Sequence, residues 1–521
     1  MKVTLGSLDY IVLGVYILLL FVIGFYLHKK SSRGNADIFL GGRMLRWWQI
    51  GLSLFSANAG PMMLIGFAGV GFSHGVVGSN FEWLAWIFLL LLAMFFLPHY
   101  LATKISTMPQ FLQLRFGKRS YNFLTLYSLI SILLVWLGSA LYAGGLIISQ
   151  IFDWSLMFSV ILITIIATSF TAVGGLKAVV RTGIFQSIII IVSSILLSWL
   201  ALRQIGGIDQ LVQEVPDYYW KLFRPADDPN YSWIAILAGY PVVAIYYWCA
   251  DQTIVQKVLA AKDLKEGQKG ALLLGFLKII MPFIFIFPGI MCYVLFKDVA
   301  KEDNAYITLI TQLMPGGLLG LSLAAIIAAL IDTVSSGLNS FSTVFTLDVA
   351  ARIWKLDEKA KLRLGKWITV VAGVIAIGIA FLFSRSGKGF FELSQGMVSI
   401  LAPPLSVVFL TGVLWKGMTS RAAEVVLYGG GFVCLLVGIC NVLNFPYAGF
   451  WPHFLMLSVY LFLGLAVVAV LVSLGTKSSL TTNGLQTLLE VNRSNGQNLR
   501  PVWAGWAILA VLMLSIYWIF S

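Results

Sequence analysis

Asp332, Ser335 and Ser336 stand at i, i+3 and i+4 in an otherwise apolar stretch, so a helix through them sets one carboxylate and two hydroxyls on a single face. Oxygen donors of this kind suit Na⁺ rather than a transition metal. The carboxylate is the telling member. An ionisable group in hydrocarbon costs about 3 kcal/mol by even the mildest scale, and such groups mark ion or solute paths. More oxygen is offered by Ser56-Ala57-Asn58-Ala59-Gly60-Pro61. Pro61 lacks an N–H and clashes with the preceding turn, Gly60 tolerates the unwinding that follows, and the carbonyls freed around Ser56 and Ala59 are available to a small cation. The expected sodium ligands are therefore Ser56, Ala59, Asp332, Ser335 and Ser336. Taken singly, each motif has a plainer reading, as a proline kink or as small residues that let helices pack closely. The Asp332 carboxylate either ligates Na⁺ directly or accepts a proton in its place.

A second polar set surrounds the first. Lys278 lies nine residues beyond Lys269, about 13 Å of helix rise, too deep for its ammonium to reach water, and Glu82 is a candidate partner. Asn58 and Gln395 each add two donors and an acceptor, while Tyr247 and Trp248 add flat faces. Carboxylate, ammonium, amides and aromatic platform match a neutral polyhydroxylated ligand: each hydroxyl needs a partner, and a sugar's CH face packs on a ring. The expected solute contacts are Asn58, Glu82, Tyr247, Trp248, Lys278 and Gln395.

These residues need a membrane-spanning scaffold. Of the 521 residues 59% are hydrophobic and 11% charged, with mean hydropathy +0.90, whereas soluble domains carry about 25% charged residues. Fourteen apolar runs are long enough to cross the bilayer as helices. Twenty-six of the 35 Lys and Arg residues, Lys257 among them, fall in or beside every second gap, which places those gaps in the cytoplasm and both termini outside it. The net charge of +13 follows from that bias and implies no nucleic-acid partner. The first run lacks a small-residue cleavage pattern and reads as a retained helix. The longest polar segments, about 204–231 outside and 475–501 inside, are too short for a catalytic domain. Helix breaks are expected in the second run, at Ser56 to Pro61, and in the ninth, at Asp332 to Ser340. No nucleophile with a base at fixed spacing and no His/Cys metal set is present, so an enzyme is not expected. No organic cofactor and no obligate protein partner is implied.

The segments Phe39-Leu40-Gly41-Gly42-Arg43, Met108 to Gly117, Gly174-Gly175-Leu176-Lys177-Ala178-Val179, Trp248-Cys249-Ala250-Asp251-Gln252 and Ser335 to Asp348 resemble the sodium/solute symporter family, in its sodium/glucose cotransporter branch. The resemblance implies an all-α, LeuT-like fold of two inverted five-helix repeats, about 46–203 and 232–416, with one extra helix before (residues 1–45) and three after (417–521). It also implies secondary active symport of Na⁺ with a sugar or sugar-like polyol, with inositol, sialic acid, nucleoside or carboxylate transport as alternatives, and it assigns the residues named above to sodium and solute. Tyr247 resembles the inner gate residue. Three departures stand out. Family members with a second sodium site have a carboxylate where this chain has Gly183 and a hydroxyl where it has Leu338, so one Na⁺ per solute is expected. Met63 replaces a polar histidine of glucose transporters, and Asp332 replaces a small residue.

Overall fold

The computed structural model describes residues 5–31, 39–40, 42–60, 62–299, 301–384, 390–447, 449–476 and 500–521. The regular secondary structure of the described residues is helical, apart from two isolated bridges. Among the described residues eleven helical stretches are long and apolar enough to cross a membrane; the first apolar run forms helix Ser7–Ser31 and the fifth the start of Leu156–Ile205. The second run is cut after Asn58, and the part beyond the break continues into the third as one stretch, Met63–Ala102.

Glycines divide the longest stretches. A straight helix over the 40 residues of Met63–Ala102 would be about 60 Å long, twice the hydrocarbon thickness. Gly75, at φ 72° and ψ −146°, folds the chain back. A Cβ on Gly78 would consequently lie 2.8 Å from Val70, residues that a straight helix holds about 12 Å apart. Gly175, at φ 57° and ψ −163°, interrupts the 50 residues of Leu156–Ile205 in the same way.

Burial identifies the central helix. In Leu318–Trp354 83% of the apolar window is enclosed by protein, against 22% in Phe454–Gly475 and Arg500–Ile519, whose large exposed side chains suit lipid. A helix enclosed on all sides can hold Asp332, Ser335 and Ser336 away from both lipid and water.

The two expected breaks come out differently. Helix Trp47–Asn58 ends as expected, with Ala59 at φ −73° and ψ 46°, and helical turns resume at Met62. The ninth run does not break: Leu318–Val344 is one continuous α-helix through Asp332 to Ser340. The stretch contains no proline to remove a ladder donor, and Thr333 and Thr343 bond the carbonyls of Ala329 and Asn339 one turn back without interrupting the helix. Gly337 serves close packing, because a Cβ there would lie 2.8 Å from Leu137.

The polar segment after Ile205 is structured. It forms helix Ile208–Glu214 and a 3₁₀ turn Asp217–Trp220, and it is fastened over the reversal at Gly75. Tyr219 donates its hydroxyl to Phe72 O at 2.6 Å, and Arg224 donates to His74 O at 2.6 Å.

Candidate functional site

The break at Ala59 faces the central helix. Gly60 approaches Thr333 so closely that a Cβ would lie 2.5 Å from its hydroxyl, which also donates to Ala57 O at 3.3 Å. On the other side Val179–Ile205 brings up Gly183, whose Cβ position lies 2.9 Å from Asp332 Oδ1 and 3.4 Å from Ser56 Oγ. Asp332 thus fills the space that a side chain at 183 would occupy. Ser56, Asp332, Ser335 and Ser336 are all buried. Among the described residues their hydroxyls and both carboxylate oxygens lie outside hydrogen-bond geometry with any protein group, although Ser56 faces the carboxylate. Buried oxygens are rarely left without a partner. Several together, all hard acceptors, fit an alkali cation.

Asn58, on the last turn before the break, begins the second set. Its amide nitrogen donates to Tyr247 Oη at 3.0 Å, and its oxygen accepts from Lys278. Lys278 also pairs with Glu82, side chains 0% and 4% exposed, and its ammonium sits 4.6 Å from the Trp248 ring centre. Glu82 therefore does not face outer water. Gln395, on helix Phe390–Leu414, lines the same cavity as Asn58, Glu82, Tyr247 and Trp248. The structure thus brings all six sequence-derived solute residues together.

That cavity holds about 50 Å³ and adjoins a second of about 40 Å³ that reaches Gly60 and Thr333. Small-molecule sites usually enclose about 300 Å³ or more, so the walls must part to admit a solute. Those walls are built largely on π-helical turns: Met62–Phe67 carries Met63 and Phe67, Ile132–Gly138 carries Val135 and Trp136, and Ile245–Ala250 carries Tyr247 and Trp248. A π turn displaces side chains from the regular helical face, and such turns recur at functional sites.

Two residues escaped the sequence reading. Trp136 stacks on Tyr247, ring centres 5.6 Å apart and planes 18° from parallel, and its Nε1 donates to Asp251 at 3.1 Å. A tryptophan in an apolar run carries no signal that separates it from packing. Lys257 is the other, and it corrects the expectation that it belongs to the cytoplasmic flank. It is 1% exposed and donates from Nζ to Ser53 O at 2.8 Å, one turn before Ser56. Its proximity in sequence to Lys262 and Lys265 disguised it.

The sequence pattern of the sodium:solute symporter family matches residues 38–430. The chain belongs to this family. It is accordingly a sodium-coupled symporter of a small solute, a multi-pass membrane protein and not an enzyme. It is 33% identical to sodium/glucose cotransporter 4 of Mus musculus over 85% of this chain and 70% of that one. It is 32% identical to the sodium/glucose cotransporter of Vibrio parahaemolyticus over 80% and 83% of the respective chains. Among solved structures it superposes on a substrate-bound, outward-open Na⁺-coupled sialic acid symporter with a TM-score of 0.80 at 20% identity, covering 91% of this chain and 99% of the other. It superposes on a nucleobase-cation-symport-1 family transporter with a TM-score of 0.54 at 13% identity, covering 82% and 91%. These matches establish the LeuT-like fold.

Proposed function

We propose that the protein takes up a sugar or sugar-like polyol together with one Na⁺ by alternating access. Sodium is held by Ser56, Ala59, Asp332, Ser335 and Ser336. The solute is held by Asn58, Glu82, Lys278 and Gln395, with Trp248 and Tyr247 as aromatic walls and Tyr247 as the inner gate. The observation that carries this reading is the position of Asn58: it closes the helix that carries Ser56, and its side chain joins Tyr247 to Lys278. A cation that orders the chain at Ala59 would therefore order a solute contact one residue away, so the two binding free energies are coupled and reciprocal.

A single sodium follows from Gly183, since Asp332 already fills the neighbouring space. A neutral solute is favoured because the Lys278 charge is matched by Glu82 and is not free for an anion. The transport core consists of inverted repeats at about 46–203 and 232–416, with both termini outside the cytoplasm. In this scheme Trp47–Asn58 begins the first repeat, and discontinuous helices of this kind place ion and solute near the bilayer midplane.

The test is uptake of labelled sugars and polyols into proteoliposomes under an imposed Na⁺ gradient, then under a proton gradient. Saturable accumulation of a neutral polyol under the Na⁺ gradient alone is expected. Accumulation only of a carboxylate or nucleoside would replace the solute assignment, and accumulation only under the proton gradient would replace the ion.

A further inference from the structure

We propose that Lys257 is a tethered counter-ion of the sodium site, held on Ser53 O near Asp332, where its charge offsets the carboxylate when sodium is absent and opposes sodium as it binds. The inference rests on the sodium-site reading above. Lys257 is among the largest fully buried side chains, yet its ammonium, with three donors, has one hydrogen bond among the described residues, to Ser53 O at 2.8 Å. The Ser53 hydroxyl beside it is unbonded, as are both Asp332 oxygens. Ser56, one turn beyond Ser53, borders the same Gly183 Cβ position as Asp332, at 3.4 and 2.9 Å, so the ammonium and the carboxylate share one buried region, but the two do not form an ion pair within 4.0 Å, as Lys278 and Glu82 do. The ammonium is thus held one helical turn from Ser56, close enough to feel the carboxylate and short of contact with it.

This arrangement solves a problem of charge. After sodium leaves, a lone Asp332 carboxylate would cross the membrane with the returning carrier, and an uncompensated buried charge is costly. With Lys257 the sodium-free site is neutral. The sodium-loaded site carries one positive charge, so the membrane potential acts on the loaded step. The same ammonium must compete with sodium for Asp332, which sets sodium affinity lower than the carboxylate alone would give.

The decisive experiment measures equilibrium binding of ²²Na⁺ to the purified full-length protein, comparing Lys257→Gln, Lys257→Arg and each in an Asp332→Asn background. Lys257→Gln is expected to bind Na⁺ at least tenfold more tightly and Lys257→Arg to stay near the unsubstituted protein. In the Asp332→Asn background the gain should vanish, because the competition requires the carboxylate. A merely structural lysine would give weaker binding on removal. Lys257→Met, apolar and of similar length, supplies a second neutral variant should Gln fail to fold. Unchanged or weakened Na⁺ binding in both neutral variants overturns the counter-ion role alone. Absence of saturable ²²Na⁺ binding in the unsubstituted protein overturns the sodium-site reading and this inference with it.

Discussion

Lys278 holds its charge by three contacts, to Glu82, to Asn58 and to the Trp248 face. Removing one partner of a buried pair strands the other, at about 3–5 kcal/mol. Lys278→Ala should therefore lower the melting temperature and also weaken solute binding at least tenfold, while Na⁺ affinity stays within about twofold. The paired change Lys278→Met with Glu82→Gln should recover much of the stability and none of the solute binding. Gln395→Ala, which strands no charge, should weaken the solute without the stability loss. If these variants lose Na⁺ first and keep the solute, the assignment of the two sets is reversed. Asp332→Ala should weaken apparent Na⁺ affinity at least tenfold; unchanged Na⁺ affinity and pH dependence would remove the carboxylate from the site. At this scale the sequence was readable where polarity contradicted its surroundings, as at Asp332, Lys278 and Gln395. It was opaque at Trp136, which looks like any apolar-run aromatic, and at Lys257, which looks like one more basic residue near the inner boundary.

The helices reveal which local signals determine backbone and which yield to context. Gly60-Pro61 marks a break because proline removes a donor and glycine accepts the result, and the helix does end at Asn58. The Ser- and Gly-rich stretch after Asp332 resembles a break in composition, yet it contains no proline and its hydroxyls bond backward within an intact helix. The reversals at Gly75 and Gly175 fall in the gaps between apolar runs, where the sequence reading ends one crossing and begins the next. Close crossing makes a further element-scale expectation. A Cβ on Gly71 would lie 2.1 Å from Ile286 O, and backbone cannot move aside as a flexible side chain can. Gly71→Ala should cost about 1–3 kcal/mol and lower the melting temperature, whereas Gly429→Ala, with open space around it, should not. Equal melting of the two would contradict the packing described.

Across the whole molecule, the enclosed central helix and the apolar peripheral ones give a multi-pass architecture that hydropathy announced in outline. The fastened segment from Ile208 to Trp233 could not be foreseen, because its hold comes from side chains of Tyr219 and Arg224 on distant carbonyls. His453 stands just before helix Phe454–Gly475, where burial pushes its pKa down to about 4. The unfolded chain holds that proton below about pH 6.5 while the folded protein does not. Stability should therefore fall as the pH drops from about 6.5 towards 4, and His453→Asn should flatten the fall in a melting series.

The central claim is that one sodium site and one solute pocket, joined through Asn58, are energetically coupled. The most direct measurement is the affinity of the transported solute at zero and saturating Na⁺, set beside the affinity for ²²Na⁺ at zero and saturating solute. The account predicts that each ligand tightens the other by the same factor of at least five, and that Asn58→Ala collapses both factors towards one. Independent binding of the two ligands in the unsubstituted protein, or coupling that survives intact in Asn58→Ala, would contradict it.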